Sequence, residues 1–306
     1  MLKKTIYNKP ALSISQQINL LRSRNLNISD EDKAKHYLQF IGYYRLSGYT
    51  RFFYLKNNSN SVFKEGSNFD AILDLYIFDR ELRLLIMDAM ERIEVAIRTA
   101  ISNWMSIQYG AHWYTDPSLF LHTFFYEDFI TAVKKETEFH KKKKRKNPIF
   151  SHYYTKYENP SFPASWMLAE GLSLGTWSKI FEYLGNRKDK ASIAKEFNLS
   201  YIVLQSWLQS LTFLRNICAH HAVVWNRTFH IMPCIPHSMP DARQQFLPNN
   251  KLYTQAAMLY ILLEIISKNN HWSVRLKDLI EKHPNISMFD MGFKKAWSQD
   301  PFWGLC

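Results

Sequence analysis

One short stretch gathers the side chains best suited to chemistry: Leu214-Arg215-Asn216-Ile217-Cys218-Ala219-His220-His221. A guanidinium keeps its proton and offers a rigid fork of donors that matches phosphate or carboxylate oxygens. Imidazole is the side chain whose ordinary pKa suits proton transfer near neutrality. An amide between them can orient a ring or hold an oxyanion. Arg215, Asn216 and His220 together therefore fit acid–base work on an anion, and His221 stands beside them. The structural alternative is a hydrogen-bonded helix end, with a histidine near the negative end of the helix dipole.

These residues need a helix to position them. From Ser200, a suitable N-cap, the chain has a helical apolar period running into the octet. At about 100° per residue, Leu204, Trp207, Leu208, Leu211, Leu214 and Cys218 share one face. Gln205, Gln209, Thr212, Asn216 and His220 form a polar stripe beside it. Arg215 falls inside the apolar arc, where it needs an anion or several acceptors. Arg215 and His220 diverge by about 140° on an ideal helix. They can act on one group only if the helix ends between them or a second copy completes the site. A zinc site is a rival reading, because Cys218-x-x-His221 is followed by Cys234-x-x-His237. Against it, Cys218 fits the apolar face as a small hydrophobe, and Pro233 and Pro236 stiffen the second pair. No metal or other cofactor is expected. The chain contains no Gly-rich phosphate loop, H-E-x-x-H or G-x-S-x-G.

The rest of the chain supplies scaffold and charge. A net charge of +12 favours a polyanionic partner, and an aromatic content of 15% leaves rings for base stacking. Eight Lys or Arg lie between Lys134 and Lys146. The run Lys141, Lys142, Lys143, Lys144, Arg145 and Lys146 is expected to be a solvated segment able to contact phosphates. Ser13–Arg24 and the segment capped by Ser29–Asp32 read as short helices. A segment dense in rings follows, with Tyr43, Tyr44 and Arg45. It reads as tyrosines packed on the main bundle or as an RNA-contacting surface. A DNA-reading helix-turn-helix is disfavoured, since no well-formed second helix projects polar residues there.

A long helix from Ser67 or Asn68 to about Ser106 carries Ile72, Leu75, Leu82, Ile86, Met90, Ile93, Ile97 and Ile101 at helical spacing, which points to a bundle. Along one edge it sets Glu94 and Arg98 four residues apart. That pair is either a solvated ion pair or a support for Arg215. Glu170, in an apolar segment flanked by glycines, is a structural carboxylate or another partner of Arg215. The expected organisation is a small helical module over 1–66, a helical domain over 67–270 with a basic insertion near 134–148, and a helical extension over 271–306. Three cysteines give no disulfide framework, and MLKKTIYNKP lacks the apolar core of a signal peptide. No run is apolar enough to span a bilayer. The expectation is a cytoplasmic protein with no membrane partner.

The string LRNICAHHAVVWNR, Leu214–Arg227, resembles the Abi-like, AbiD/AbiF-type abortive-infection proteins of the HEPN superfamily, whose motif is R-x(4–6)-H. Tyr43–Tyr49 (YYRLSGY), Glu91–Arg98 (ERIEVAIR) and the segment around Trp166, Glu170 and Gly175 resemble further patterns of that family. The resemblance implies an all-α, HEPN-type helical bundle, usually paired as a homodimer, that cleaves RNA without metal in phage defence. The products would be a 2′,3′-cyclic phosphate and a 5′-hydroxyl. Arg215, Asn216 and His220 would be catalytic, with Glu94, Arg98, Glu170 and His221 in support. It also implies restraint by a guarding RNA or a protein antitoxin. A catalytically silent or RNA-restrained RNA-binding protein of the same fold is the alternative.

Overall fold

The computed structural model describes residues 9–55, 61–142 and 148–305, except for the side chains of 138–142. The all-α expectation holds. Among the described residues the only β pairing is three isolated bridges. The helices are α1 (Ile14–Ser23), α2 (Glu31–Phe40), α3 (Tyr43–Thr50), α4 (Phe69–Tyr109), α5 (Tyr126–Lys142), α6 (Pro148–Lys156), α7 (Ser165–Gly171), α8 (Leu174–Tyr183), α9 (Arg187–Lys195), α10 (Tyr201–Ala219), α11 (Pro240–Arg243), α12 (Leu252–Ile266) and α13 (Trp272–Lys282). The chain divides into two compact units, one running to Leu82 and adding Lys282–Ile286, the other holding Arg83–Glu281 and the residues from Ser287 on. The expected module boundary at 66/67 falls just before α4, and the expected extension beginning at 271 contributes to both units. No helix among the described residues is long and apolar enough to cross a membrane.

Local signals explain where the helices of the first unit start. Ser13 and Gln16 form a capping box at α1, and the Asp30 carboxylate accepts from Lys33 N at 2.9 Å. The ring-rich segment, to which residue type alone assigned no element, is itself a helix. In α3, Leu46, Tyr49 and Thr50 are buried, so one stripe of a short helix is anchored in the core. The Tyr49 hydroxyl donates to the fully buried Asp79 at 2.7 Å. Lys282 Nζ donates to both carboxylate oxygens of Glu81 at 2.8 Å, and His283 Nδ1 lies 2.7 Å from Asp74 Oδ1.

The second unit is built on α4, α10 and α12. α4 runs for 41 residues, about 60 Å of helix. Within this unit its apolar stripe is at most 2% exposed at Ile86, Met90, Ile93, Ile97 and Ile101. α12 is buried all round from Leu252 to Leu263, the pattern of a central helix. Its buried Gln255 amide and the Ser210 hydroxyl of α10 hydrogen-bond to each other at 3.0 and 3.1 Å, which satisfies both polar groups inside the core. Two glycines set helix spacing. A methyl group on Gly171 would stand 2.2 Å from the buried Phe150 ring, and one on Gly175 would stand 3.3 Å from Thr212 of α10. The basic run departs from expectation, because its first part is helical. Acidic Glu127 and Asp128 sit in the first turn of α5, and Phe129, Val133 and Thr137 bury an i,i+4 stripe.

Candidate active site

α10 carries the octet on its last turns. The Ser200 hydroxyl accepts from Val203 N at 3.3 Å and starts the helix. Leu204, Trp207, Leu208, Leu211, Leu214 and Cys218 are at most 3% exposed, as the apolar period requires. Asn216 and His220 are exposed, while Gln205, Gln209 and Thr212 are partly exposed. The helix ends in a Schellman arrangement. His221 N donates to Cys218 O at 3.0 Å, and Ala222 N donates to Ile217 O at 2.9 Å. This geometry demands a left-handed residue, and His221 supplies it with φ 56°. A non-glycine side chain there carries strain on the order of 1–2 kcal/mol.

The helix end leaves His220 pointing as a helical residue would. His220 is the C-cap with φ −87°, so its N and Cα still lie on the helix and its Cβ keeps the helical direction. The chain turns only at His221. Ending the helix at Ala219 therefore does not swing His220 toward Arg215, and the divergence of about 140° remains.

Arg215 is held from the facing α4. Its Nε lies 3.7 Å from Glu94 Oε2, and Arg98 donates to the other carboxylate oxygen of Glu94. The Glu94 side chain is 11% exposed, that of Arg98 16% and that of Arg215 33%. One carboxylate thus lies between two cations, in a place too buried for a solvated pair. Arg98 also donates to Ala169 O at 3.1 Å, at the negative end of α7. Burial pulls the Arg98 guanidinium below its ordinary value. The Glu170 charge raises it, and the Arg215 charge lowers it again. It remains a cation. Glu170 is exposed, and its charge acts on Arg98. Arg215 Nη1 stands 3.5 Å from Asn216 Oδ1 at the exposed end of the cluster. Buried Arg215 Nε has no hydrogen-bond partner among the described residues.

Sequence reasoning missed Arg83. This buried residue of α4 donates from Nη1 to Ala222 O at 3.5 Å and steadies the turn that follows His221. Its only signal in sequence is a position within the apolar arc of a long helix.

Other expected residues lie elsewhere. Tyr43, Tyr44 and Arg45 belong to the first unit, whereas Arg215 belongs to the second. The Tyr43 hydroxyl accepts from Arg24 at 3.1 Å, and burial raises its pKa. Tyr44 is 91% exposed. Residues Lys141–Lys146 lie outside the described residues, except for the backbone of Lys141 and Lys142 at the end of α5.

The zinc spacing does not become a cluster. The carbonyl of Cys234 accepts from Trp207 Nε1 at 2.9 Å, and its N–H donates to Ser206 Oγ at 2.9 Å. Cys218 lies eleven positions beyond Trp207, about 16 Å further along α10. Among the described residues no group of three or more His, Cys, Asp or Glu side chains is placed to hold a metal ion.

Comparison with known proteins gives one match. A family model described as Abi-like protein matches residues 36–226, more than half of the chain. No curated protein and no solved structure matches it.

Proposed function

The chain belongs to the Abi-like protein family, and on that premise we propose that it is a HEPN-type, metal-independent endoribonuclease acting in phage defence. Family membership points to abortive infection. The finer reading rests on one observation above others: half-buried Arg215, steadied by Glu94, stands beside exposed Asn216 on the last turns of α10, and His220 is exposed at the free end of the same helix. A net charge of +12 suits a polyanionic substrate.

In this reading the ribose 2′-hydroxyl attacks the adjacent phosphorus. The 2′-O–P bond forms and the P–O5′ bond breaks, giving a 2′,3′-cyclic phosphate and a 5′-hydroxyl. His220 takes the 2′-hydroxyl proton or delivers one to the departing 5′-oxygen. Arg215 holds the nonbridging phosphoryl oxygens as charge builds on them. Asn216 orients the phosphate or the ring. One His220 cannot be base and acid in the same step, so two copies of the chain share the work across a two-fold axis. Glu94 and Arg98 position Arg215 and touch no substrate. Lys141–Lys146, Tyr43, Tyr44 and Arg45 add RNA contacts outside the reacting centre, and a guarding RNA or antitoxin restrains the nuclease.

The deciding experiment is cleavage of defined RNA by purified, RNA-stripped protein, with end-group analysis of the products. The expected result is cyclic-phosphate ends, activity that survives EDTA, and its loss in a folded His220→Ala chain. RNA that is bound but never cut would instead identify a silent RNA-binding member of the family. Activity lost to EDTA and restored by zinc would overturn the metal-free mechanism.

A further inference from the structure

The polar stripe of α10 does not stop at Asn216. Toward the start of the helix, Gln209 and Thr212 enter a groove of about 710 Å³ between α5, α8 and α10. Its walls also include Phe124, Phe125, Tyr183 and Lys179. Phe124 is fixed by stacking on Tyr183, with ring centres 5.1 Å apart at 24°, and on Phe120 at 4.9 Å. Phe125 is 77% exposed, and among the described residues its ring stacks on nothing. Among those residues the Gln209 amide likewise has no hydrogen-bond partner, although the side chain is only partly exposed. Thr212 is held by its hydroxyl, which donates to Leu208 O at 2.8 Å, and by Gly175 opposite.

We propose that this groove is a specificity subsite that takes one unpaired base of the RNA strand, beside the phosphate held by Arg215. The identity of the polymer rests on the ribonuclease reading; the pocket rests on its own geometry. Gln209, Thr212, Asn216 and His220 lie within about 80° of one another around the helix, so groove and candidate catalytic residues share a face. Thr212 precedes Arg215 by three residues, about 4.5 Å of axis, within one nucleotide step of a strand. The chemistry fits a base better than a phosphate. Asp128 and Glu182 line the same groove as Lys179, so it offers no net positive charge. The unstacked Phe125 ring offers a face to a flat heterocycle. The Gln209 amide offers an acceptor and donors side by side, which match the paired donor and acceptor on a base edge. Stacking accepts any base, and the amide discriminates among them.

The test separates this pocket from the nuclease reading. Short oligoribonucleotides of A, C, G or U are titrated against the full chain carrying His220→Ala, at salt high enough to suppress backbone contacts, and cleavage sites are mapped with the active chain. The parent should prefer one base by about tenfold. Phe125→Ala should weaken all four by about tenfold. Gln209→Leu should bring the four affinities close together and shift the choice of cleavage site in the active chain. Both positions reach solvent, so the variants should fold. Discrimination by the parent that these variants remove, with no cleavage by the active chain, would keep the pocket and discard the ribonuclease. Cleavage whose site choice and affinities ignore both variants would discard the pocket and keep the ribonuclease. Equal affinity of the parent for all four oligomers would also overturn the proposal.

Discussion

Removing the Glu94 carboxylate should destabilise the protein as well as silence it. Glu94 lies between Arg98 and Arg215, with side-chain exposures of 11%, 16% and 33%. Glu94→Ala leaves two partly buried cations facing each other without the anion between them. Breaking a buried pair costs about 3–5 kcal/mol. The value here should sit near the lower end, about 3 kcal/mol, because Arg215 is one-third exposed and keeps some hydration. For a unit of this size that corresponds to a fall in Tm of roughly 6–12 °C. Glu94→Gln keeps an acceptor for Arg98 and loses only the charge, so it should cost about 1–2 kcal/mol. Combined with Arg98→Gln it should cost less than the sum of the single changes, since the two residues share one interaction. Thermal unfolding and denaturant midpoints measure all three. If Glu94→Ala and Glu94→Gln both unfold within about 0.5 kcal/mol of the parent, the pair behaves as a surface pair and the positioning argument for Arg215 fails.

Three other expectations follow from the site. At His221, held at φ 56°, Ile should cost about 1–2 kcal/mol while Asn stays within about 0.5 kcal/mol, by differential unfolding; equal stabilities would mean that the left-handed turn does not limit this position. Replacing Lys141–Lys144 with Ser should flatten the dependence of log affinity on log salt by about 3 if all four lysines meet phosphates, and an unchanged slope would remove them from the interface. Mixing inactive Arg215→Ala chains with inactive His220→Ala chains should leave cleavage lost despite subunit exchange, because a mixed dimer holds a single intact His220 and the reaction needs a base and an acid; recovery would show that one composite Arg–His pair suffices. A monomer with full activity would defeat the shared site.

The sequence alone carried much of this protein. Hydrophobic period located α4 and α10 to within a few residues, because one buried stripe recurring every turn is a local signal. Ser13, Asp30 and Ser200 marked helix starts, because a side-chain oxygen placed to accept an orphan N–H is also local. The octet marked the candidate site through residue type, and Arg215 stood out as a cation within an apolar arc. Local signals left α3 unassigned and misjudged α5. Rings and lysines dominated those segments, while the helices form because Leu46 and Tyr49, or Phe129 and Val133, bury short stripes in a core that the sequence does not display.

What only the tertiary structure decided is which partner each group receives. Glu94 and Arg215 are separated by 120 intervening residues, and no pattern links them in sequence. Packing of α10 across α4 turns a simple i,i+4 pair into one carboxylate shared by two guanidiniums. The same packing sends buried Arg83 to the carbonyl of Ala222, while α5 and α8 beside α10 form the groove at Gln209. It also separates Cys234 from Cys218, which only their spacing had joined. Residue type and period are written along the chain. Proximity is a property of the packed helices, because burial forces each charged or polar group to find its partner wherever the neighbouring helix happens to carry one.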